Sequence, residues 1–347
     1  MKMKSLGHSR IEVSEFCLGS MTWGTQTNTN EAHDQIDRAL DAGINFIDTA
    51  EMYPVNPVSE ETIGRTERII GLWFERDERR EDVILATKHS GEGLAAVRDG
   101  APISSATIAE AIEGALRRLK TDYIDLYQFH WPNRGSYMFR KNWTYDPSSQ
   151  LMLDTKHHME DALEALQKQV KRGTIRAFGL SNESAWGTTK WIEAAERVGG
   201  PRVASVQNEY SLLCRLYDTD MAEMSLQEDV PLLAFSPLAA GLLTGKYQDG
   251  AVPAHSRMSL SSNLGGRKTE RAFDAVQAYL EIAQKHDLDP TQMALAWCKT
   301  RPFMGSIIFG ATTMEQLEVC LGAIDLELSA EVVADIDAAH RTHPMPY

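Results

Sequence analysis

Cysteine is scarce: the 347 residues include only Cys17, Cys214, Cys298 and Cys320, and none forms a C-x-x-C pair. That is too few for a disulfide scaffold and lacks the spacing of a Cys/His zinc site, so no metal is expected and a reducing compartment fits. No apolar run approaches the ~18 residues of a membrane-spanning helix, which argues against a membrane partner. Positive charge is in deficit, with 35 Lys and Arg against 49 Asp and Glu and a net charge of −14. Such a surface repels phosphate backbones, which argues against a nucleic-acid partner but leaves room for a pocket holding one small phosphate ligand. No Gly-X-Y or other short repeat supports a fibrous protein. Lys2 and Lys4 have no apolar stretch behind them, so no signal peptide is expected and the cytoplasm is the default location.

What is present is an ordinary globular composition, 43% hydrophobic and 24% charged. Short β-rich runs alternate with helical patterns along the chain. A small hairpin is expected over 3–13, turning at Gly7-His8-Ser9. Strands are expected over 15–19, 44–48, 82–88, 123–130, 175–180, 203–207, 231–235 and 306–309. Helices are expected over 30–42 (with Asn30 as N-cap), 59–74, 104–119, 159–172, 185–197, 218–227, 291–299, 314–321 and 329–340. Strand–helix units without a composition break imply parallel strands covered by helices, and a count of eight favours a closed (β/α)8 barrel over an open sheet. One domain over 1–347 is expected. Two long loops, about 132–155 and 239–268, follow strands, so both should lie on the C-terminal face, where barrel active sites sit.

The chemistry is concentrated at strand ends. The second strand ends in Asp48, with Tyr53 just beyond; the third ends in Lys88 and the fourth in His130. A tyrosine hydroxyl, ordinarily ionising near pH 10, becomes a usable proton donor when an adjacent cation stabilises the phenolate. Lys88 can supply that cation and Asp48 can hold it, while a neutral His130 imidazole can orient a carbonyl oxygen. None of the four is a hydride source, so a nicotinamide cofactor is implied. The run Gly91-Glu92-Gly93-Leu94-Ala95-Ala96 fits G-x-G-x-x-A, but Ala95 leads into charged residues rather than a long apolar helix, and it is not read as a dinucleotide fold.

These residues lie in runs that resemble the aldo-keto reductases, and more closely the bacterial Tas-like branch of that superfamily. The runs are Leu18-Gly19-Ser20-Met21-Thr22-Trp23-Gly24, Phe46-Ile47-Asp48-Thr49-Ala50-Glu51-Met52-Tyr53-Pro54, Thr87-Lys88, Asp122 to Pro132, Phe178-Gly179-Leu180-Ser181-Asn182, Val206 to Leu212, Phe235 to Tyr247 and Gly310-Ala311-Thr312-Thr313. The resemblance implies a barrel with a hairpin cap and two extra helices, with Asp48, Tyr53, Lys88 and His130 as tetrad and Tyr53 as acid. It implies NADP(H) bound without a Rossmann domain. Ser181, Asn182 and Gln207 would hold the carboxamide, and Phe235 would stack on the ring. The loop Ser236, Pro237, Leu238, Ala239 to Gly241, with Lys246, would follow the pyrophosphate. Arg257 would lie near the adenosine phosphate, and Thr312, Thr313 and Gln316 would offer free N–H groups at a helix entrance. Ser20, Met21 and Gly310 complete the expected cofactor contacts.

The chain departs from the family at Thr313, Val319 and Cys320, where many members carry a basic residue, an acidic residue and Asn. This weakens the preference for NADP(H) over NAD(H), though Arg257 and the helix N-terminus still favour the former. Trp23 and Trp131 are expected to wall a pocket for a small carbonyl substrate, with Tyr137, Phe139, Trp143 and Tyr145 nearby; Arg134, Arg140 and Lys141 would bind an anionic substrate or solvate their loop. The reading is a carbonyl reductase. The alternative is a nucleotide-sensing regulator resembling potassium-channel β subunits, which depart from His at the position of His130. A different barrel enzyme for phosphorylated substrates would leave Tyr53 and Lys88 unexplained. Natural substrate, direction and oligomeric state are left open.

Overall fold

The computed structural model describes residues 1–347. A two-stranded antiparallel hairpin, β1 (Met3–Ser5) and β2 (Glu12–Ser14), precedes eight parallel strands. These are β3 (Phe16–Gly19), β4 (Phe46–Asp48), β5 (Ile84–His89), β6 (Ile124–Phe129), β7 (Ile175–Ser181), β8 (Val203–Glu209), β9 (Leu232–Phe235) and β10 (Met304–Phe309). They close in chain order, β10 pairing with β3 through Ile308 opposite Cys17. The helices are α1 (Thr29–Asp41), α2 (Arg65–Asp77), α3 (Ser105–Leu119), α4 (Met152–Arg172), α5 (Ala185–Val198), α6 (Asp220–Gln227), α7 (Arg257–Leu260), α8 (Glu270–Lys285), α9 (Pro290–Lys299), α10 (Met314–Leu321) and α11 (Ala330–Thr342). This is the expected (β/α)8 barrel with an N-terminal hairpin, and α8 and α11 pack on each other outside the ring. No helix is long and apolar enough to cross a membrane.

The barrel's lower interior is one packed layer to which every strand contributes: Cys17, Phe46, Ala86, Leu126, Ala177, Ala204, Leu233 and Ile308. Leu6 and Val13 of the hairpin pack against it and plug the bottom. Side chains on a strand alternate faces, so two residues beyond an inward side chain the next one also points inward. Phe46 is thus followed inward by Asp48, Ala86 by Lys88, and Leu126 by Gln128. The apolar plug carries a polar layer directly above it, toward the C-terminal ends of the strands.

Several boundaries differ from the sequence reading. Helix α1 is capped by Asn28, not Asn30: Asn28 Oδ1 accepts from Glu31 N at 3.0 Å and Glu31 Oε2 accepts from Asn28 N at 2.9 Å. This reciprocal box needs a Glu three residues after the cap, which Asn28 has and Asn30 lacks. Helix α4 starts earlier than expected, at Met152, and α2 starts later, at Arg65, after turns around Ser59 and Thr62. Helix α8 has no counterpart among the helices placed by residue range, though the family resemblance implies two extra helices. Its signal is nonetheless present: Thr269 accepts from Ala272 N at 3.0 Å as N-cap, and Ala272, Ala275, Val276, Tyr279 and Ile282 form a buried stripe.

Candidate active site

The floor of the open end is built around Asp48 and Lys88. Register places Asp48 opposite Ala86, and Lys88 opposite Gln128. The Lys88 ammonium is fully buried and donates to Asp48 Oδ2 at 2.5 Å and to Thr49 O at 2.8 Å. It stands 3.4 Å from the Tyr53 hydroxyl and 4.8 Å from the Tyr53 ring centroid. The other Asp48 oxygen, Oδ1, accepts from Gln207 Nε2 at 2.8 Å and Gln128 Nε2 at 3.3 Å, so β4, β5, β6 and β8 meet at this carboxylate. Ser20, fully buried, donates its hydroxyl to Asp48 O at 2.7 Å and steadies the strand end. Tyr53 and His130 meet edge to face, their ring centroids 5.9 Å apart.

The electrostatics separate the roles. Burial and the Asp48 carboxylate push the Tyr53 phenol above its ordinary range, and Lys88 and Arg257 oppose this only in part. The net direction is therefore upward, where the sequence reading gave weight to the cation alone. Burial pulls Lys88 down, but Asp48 and Tyr53 more than offset it and the ammonium stays charged. Burial, then the Lys88 charge, hold His130 well below the usual histidine range. The imidazole is thus neutral near pH 7, and its Nδ1 is buried without a partner.

The ends of β7, β8 and β9 continue the rim beside this floor. Ser181 Oγ donates to Gln207 O at 2.8 Å. Asn182, at φ 55°, donates from Nδ2 to His130 O at 2.9 Å, which leaves Oδ1 buried and unpartnered. Phe235, at the end of β9, keeps part of its surface open. Beyond it Ser236, Ala239, Ala240 and Gly241 all have positive φ, with Pro237 and Leu238 between the first two. Left-handed turns of this kind aim backbone N–H groups into anion-binding concavities. At Gly241 a Cβ would lie 2.8 Å from Lys246 Cε, so the lysine folds tightly over that turn.

Lys246 and Arg257 have no carboxylate partner. Burial lowers both, and the neighbouring positive charges, Arg257 for Lys246 and Arg267 for Arg257, lower them further. Two partly buried cations that repel one another, beside a left-handed turn, fit an anionic ligand such as a pyrophosphate. The unpartnered Asn182 Oδ1 fits the N–H of a carboxamide. Sequence reasoning missed Glu209 and Arg267. Glu209 accepts from Arg267 Nε at 2.7 Å, Arg140 Nη1 at 2.6 Å and the Tyr347 hydroxyl at 3.3 Å. Arg267 also reaches Ser236 Oγ at 3.4 Å. A charged residue at a strand end, just after Gln207-Asn208, was the available signal.

Other placements differ from expectation. Trp23 is fully buried and its indole donates to Gln35 Oε1 at 3.0 Å, so the ring packs behind α1 and does not wall the mouth. Trp131 stays at the mouth, 5.0 Å from the His130 ring. Trp143 is 58% exposed and faces solvent. Arg134 and Arg140 are paired with Glu183 and Glu209 and are not free for an anionic substrate. At the entrance of α10, Gln316 Oε1 accepts from Thr312 N at 3.0 Å, and Thr313 Oγ1 accepts from Gln316 N at 3.3 Å. The chain's own caps occupy N–H groups that were expected to be free. Gly310 is exposed beside Gly19, and Met21 is half-buried at the end of β3.

With this geometry in view, comparison with known proteins is decisive about the family: residues 15–341 match the Aldo/keto reductase family, and the chain belongs to it. It is 42% identical to Protein tas of Escherichia coli (strain K12), over all of this chain and 99% of that protein. It is 32% identical to the uncharacterized oxidoreductase YrpG of Bacillus subtilis (strain 168), over 96% of this chain and 94% of that one. It is also 32% identical to a probable voltage-gated potassium channel subunit beta of Oryza sativa subsp. japonica, over 99% and 98% of the two chains.

Proposed function

We propose that this protein is an NADPH-dependent reductase of aldehydes or ketones, acting as one functional domain over 1–347. When bound, the nicotinamide supplies the hydride. Asn182, Ser181 and Gln207 hold its carboxamide end, Phe235 faces the ring, and the turn from Ser236 to Gly241 with Lys246 and Arg257 takes the phosphates. Tyr53 gives its proton to the carbonyl oxygen. Its raised pKa keeps that proton in place until negative charge develops on the oxygen, and Lys88 then stabilises the phenolate left behind. Asp48 fixes the ammonium. Neutral His130 orients the carbonyl oxygen, with Trp131 beside it.

The observation that carries this reading is the buried Lys88 ammonium, held 2.5 Å from Asp48 and 3.4 Å from the Tyr53 hydroxyl. The test is a single turnover: protein loaded with NADPH is mixed with a reactive aromatic aldehyde and cofactor absorbance is followed. Fast oxidation in the wild type, lost in Tyr53→Phe with NADPH binding intact, is the expected result. Equal turnover in the two proteins would overturn the assignment. Tight NADPH binding without oxidation in either would favour the nucleotide-sensing reading, which the likeness to the rice channel subunit supports.

A further inference from the structure

One buried charge beside the tyrosine has no part in the chemistry above. Glu51, two residues before Tyr53, is 7% exposed. Its Oε1 accepts from Ser90 N at 2.6 Å and Arg98 Nη2 at 2.9 Å, and its Oε2 accepts from Arg98 Nη1 at 2.6 Å. Its backbone N–H donates to Lys88 O at 3.3 Å. The guanidinium also reaches His89 Nδ1 at 3.0 Å and Ser90 O at 3.3 Å. The carboxylate thus ties the loop that carries Tyr53 to the residues directly after Lys88. A buried ion pair is weak evidence for stability, since apolar residues of similar volume often do as well. What the fork adds is geometric definition.

Arg98 lies in the segment 90–104 between β5 and α3. The start of that segment meets Trp131, whose indole donates to Glu92 O at 3.1 Å. Gly91 permits this approach, because a Cβ there would run into the indole ring. The segment is therefore fastened to the Tyr53 loop through Ser90 and Arg98, and to Trp131, the neighbour of His130, through Glu92.

We propose that Glu51 and Arg98 are positioning residues: their forked ion pair, through the segment from Ser90 to Gly93, holds the Tyr53 loop in register with Lys88 and with His130 and Trp131. The proposal rests on the Tyr53 reading but concerns side chains that act through others.

The test compares full-length wild type with Arg98→Ala, Arg98→Lys and Glu51→Gln. Hydrogen exchange is read over 50–55, 90–94 and 129–133, alongside kcat, KM, NADPH affinity and the pH profile of alcohol oxidation. In Arg98→Ala, exchange is expected to rise in all three segments together, and kcat to fall about 10- to 100-fold. The pH limb moves upward, NADPH affinity stays within about twofold, and added guanidinium ion restores part of the rate. Arg98→Lys keeps the charge without the fork and recovers less than half of the loss. If exchange rises only over 90–94 while kcat and the pH limb stay at wild-type values, the clamp is a loop staple and the proposal fails. Should Arg98→Ala not fold, Glu51→Gln, which keeps an acceptor for Ser90 N, carries the same comparison. A wild type without Tyr53-dependent turnover overturns the reductase reading, and the exchange pattern still decides the clamp.

Discussion

Lys88→Met removes the ammonium that faces the Tyr53 hydroxyl at 3.4 Å and leaves Asp48 in place. At an effective dielectric of about 20, unit charges ~4 Å apart interact by about 4 kcal/mol, or about 3 pH units of phenol ionisation. The partly open mouth screens some of this, so a shift of about 2 units is expected. The sign is upward, since the phenolate loses its cation and keeps the Asp48 charge. In alcohol oxidation Tyr53 must be ionised to accept a proton, so the rise of kcat with pH moves to higher pH. In reduction the rate falls on the order of 10- to 100-fold, because a weaker acid gives up its proton later. The substitution also strands a buried carboxylate, with Gln207 and Gln128 as donors to its Oδ1, at a cost of about 3–5 kcal/mol. Asp48→Asn combined with Lys88→Met removes that stranded charge. The double variant should regain stability in urea, while its pH limb, freed of the Asp48 charge, falls back part of the way and stays above the wild-type position. A limb at the wild-type position in a folded Lys88→Met protein would refute the coupling.

Burial pushes His89 down to about 4, against 6.5 in an unfolded chain. The unfolded state then binds more protons between those values, so stability is full above pH 6.5 and falls as pH drops through that window, by about 3 kcal/mol. Urea midpoints at pH 7 and near pH 4.5 should differ more for wild type than for His89→Gln; equal differences would refute the assignment. Arg257→Ala and Lys246→Ala should each weaken NADPH binding about 10-fold and reduce its salt dependence, measured by fluorescence titration. A larger loss for NADPH than for NADH in Arg257→Ala assigns Arg257 to the 2′-phosphate, an equal loss assigns it to the pyrophosphate, and no loss removes it from the site.

The barrel was legible from the alternation of strands and helices, and the inward placement of Asp48 and Lys88 follows from strand periodicity, whereas Tyr53 lies in the loop beyond β4 and owes its place to that loop. Once Phe46, Ala86 and Leu126 are inward, Asp48, Lys88 and Gln128 must be inward too, and a polar layer above an apolar one is readable from residue order alone. Trp23 shows the limit. Its position near a strand end does not say which way the turn aims its ring, and the Gln35 acceptor that settles this lies on α1. Helix α8 was hidden by the glycine- and serine-rich run before it, although its apolar spacing was ordinary.

The contacts proposed for the phosphates were illegible for a different reason. Whether a donor or a cation is free depends on what its neighbours have already taken, and neighbours are a property of the fold. Thr312 and Gln316 look like open donors in the sequence, yet both backbone N–H groups are engaged by side chains of the α10 entrance. Arg134, Arg140 and Arg257 look alike, yet the first two are neutralised by Glu183 and Glu209 while Arg257 is paired with no carboxylate. Buried or half-buried cations such as Lys88, Arg134, Arg140 and Arg267 each have a carboxylate partner, whereas the partly buried Lys246 and Arg257 have none. Both stand beside one left-handed turn, and that coincidence of charge and backbone supports the proposed anion site more firmly than either residue's identity does.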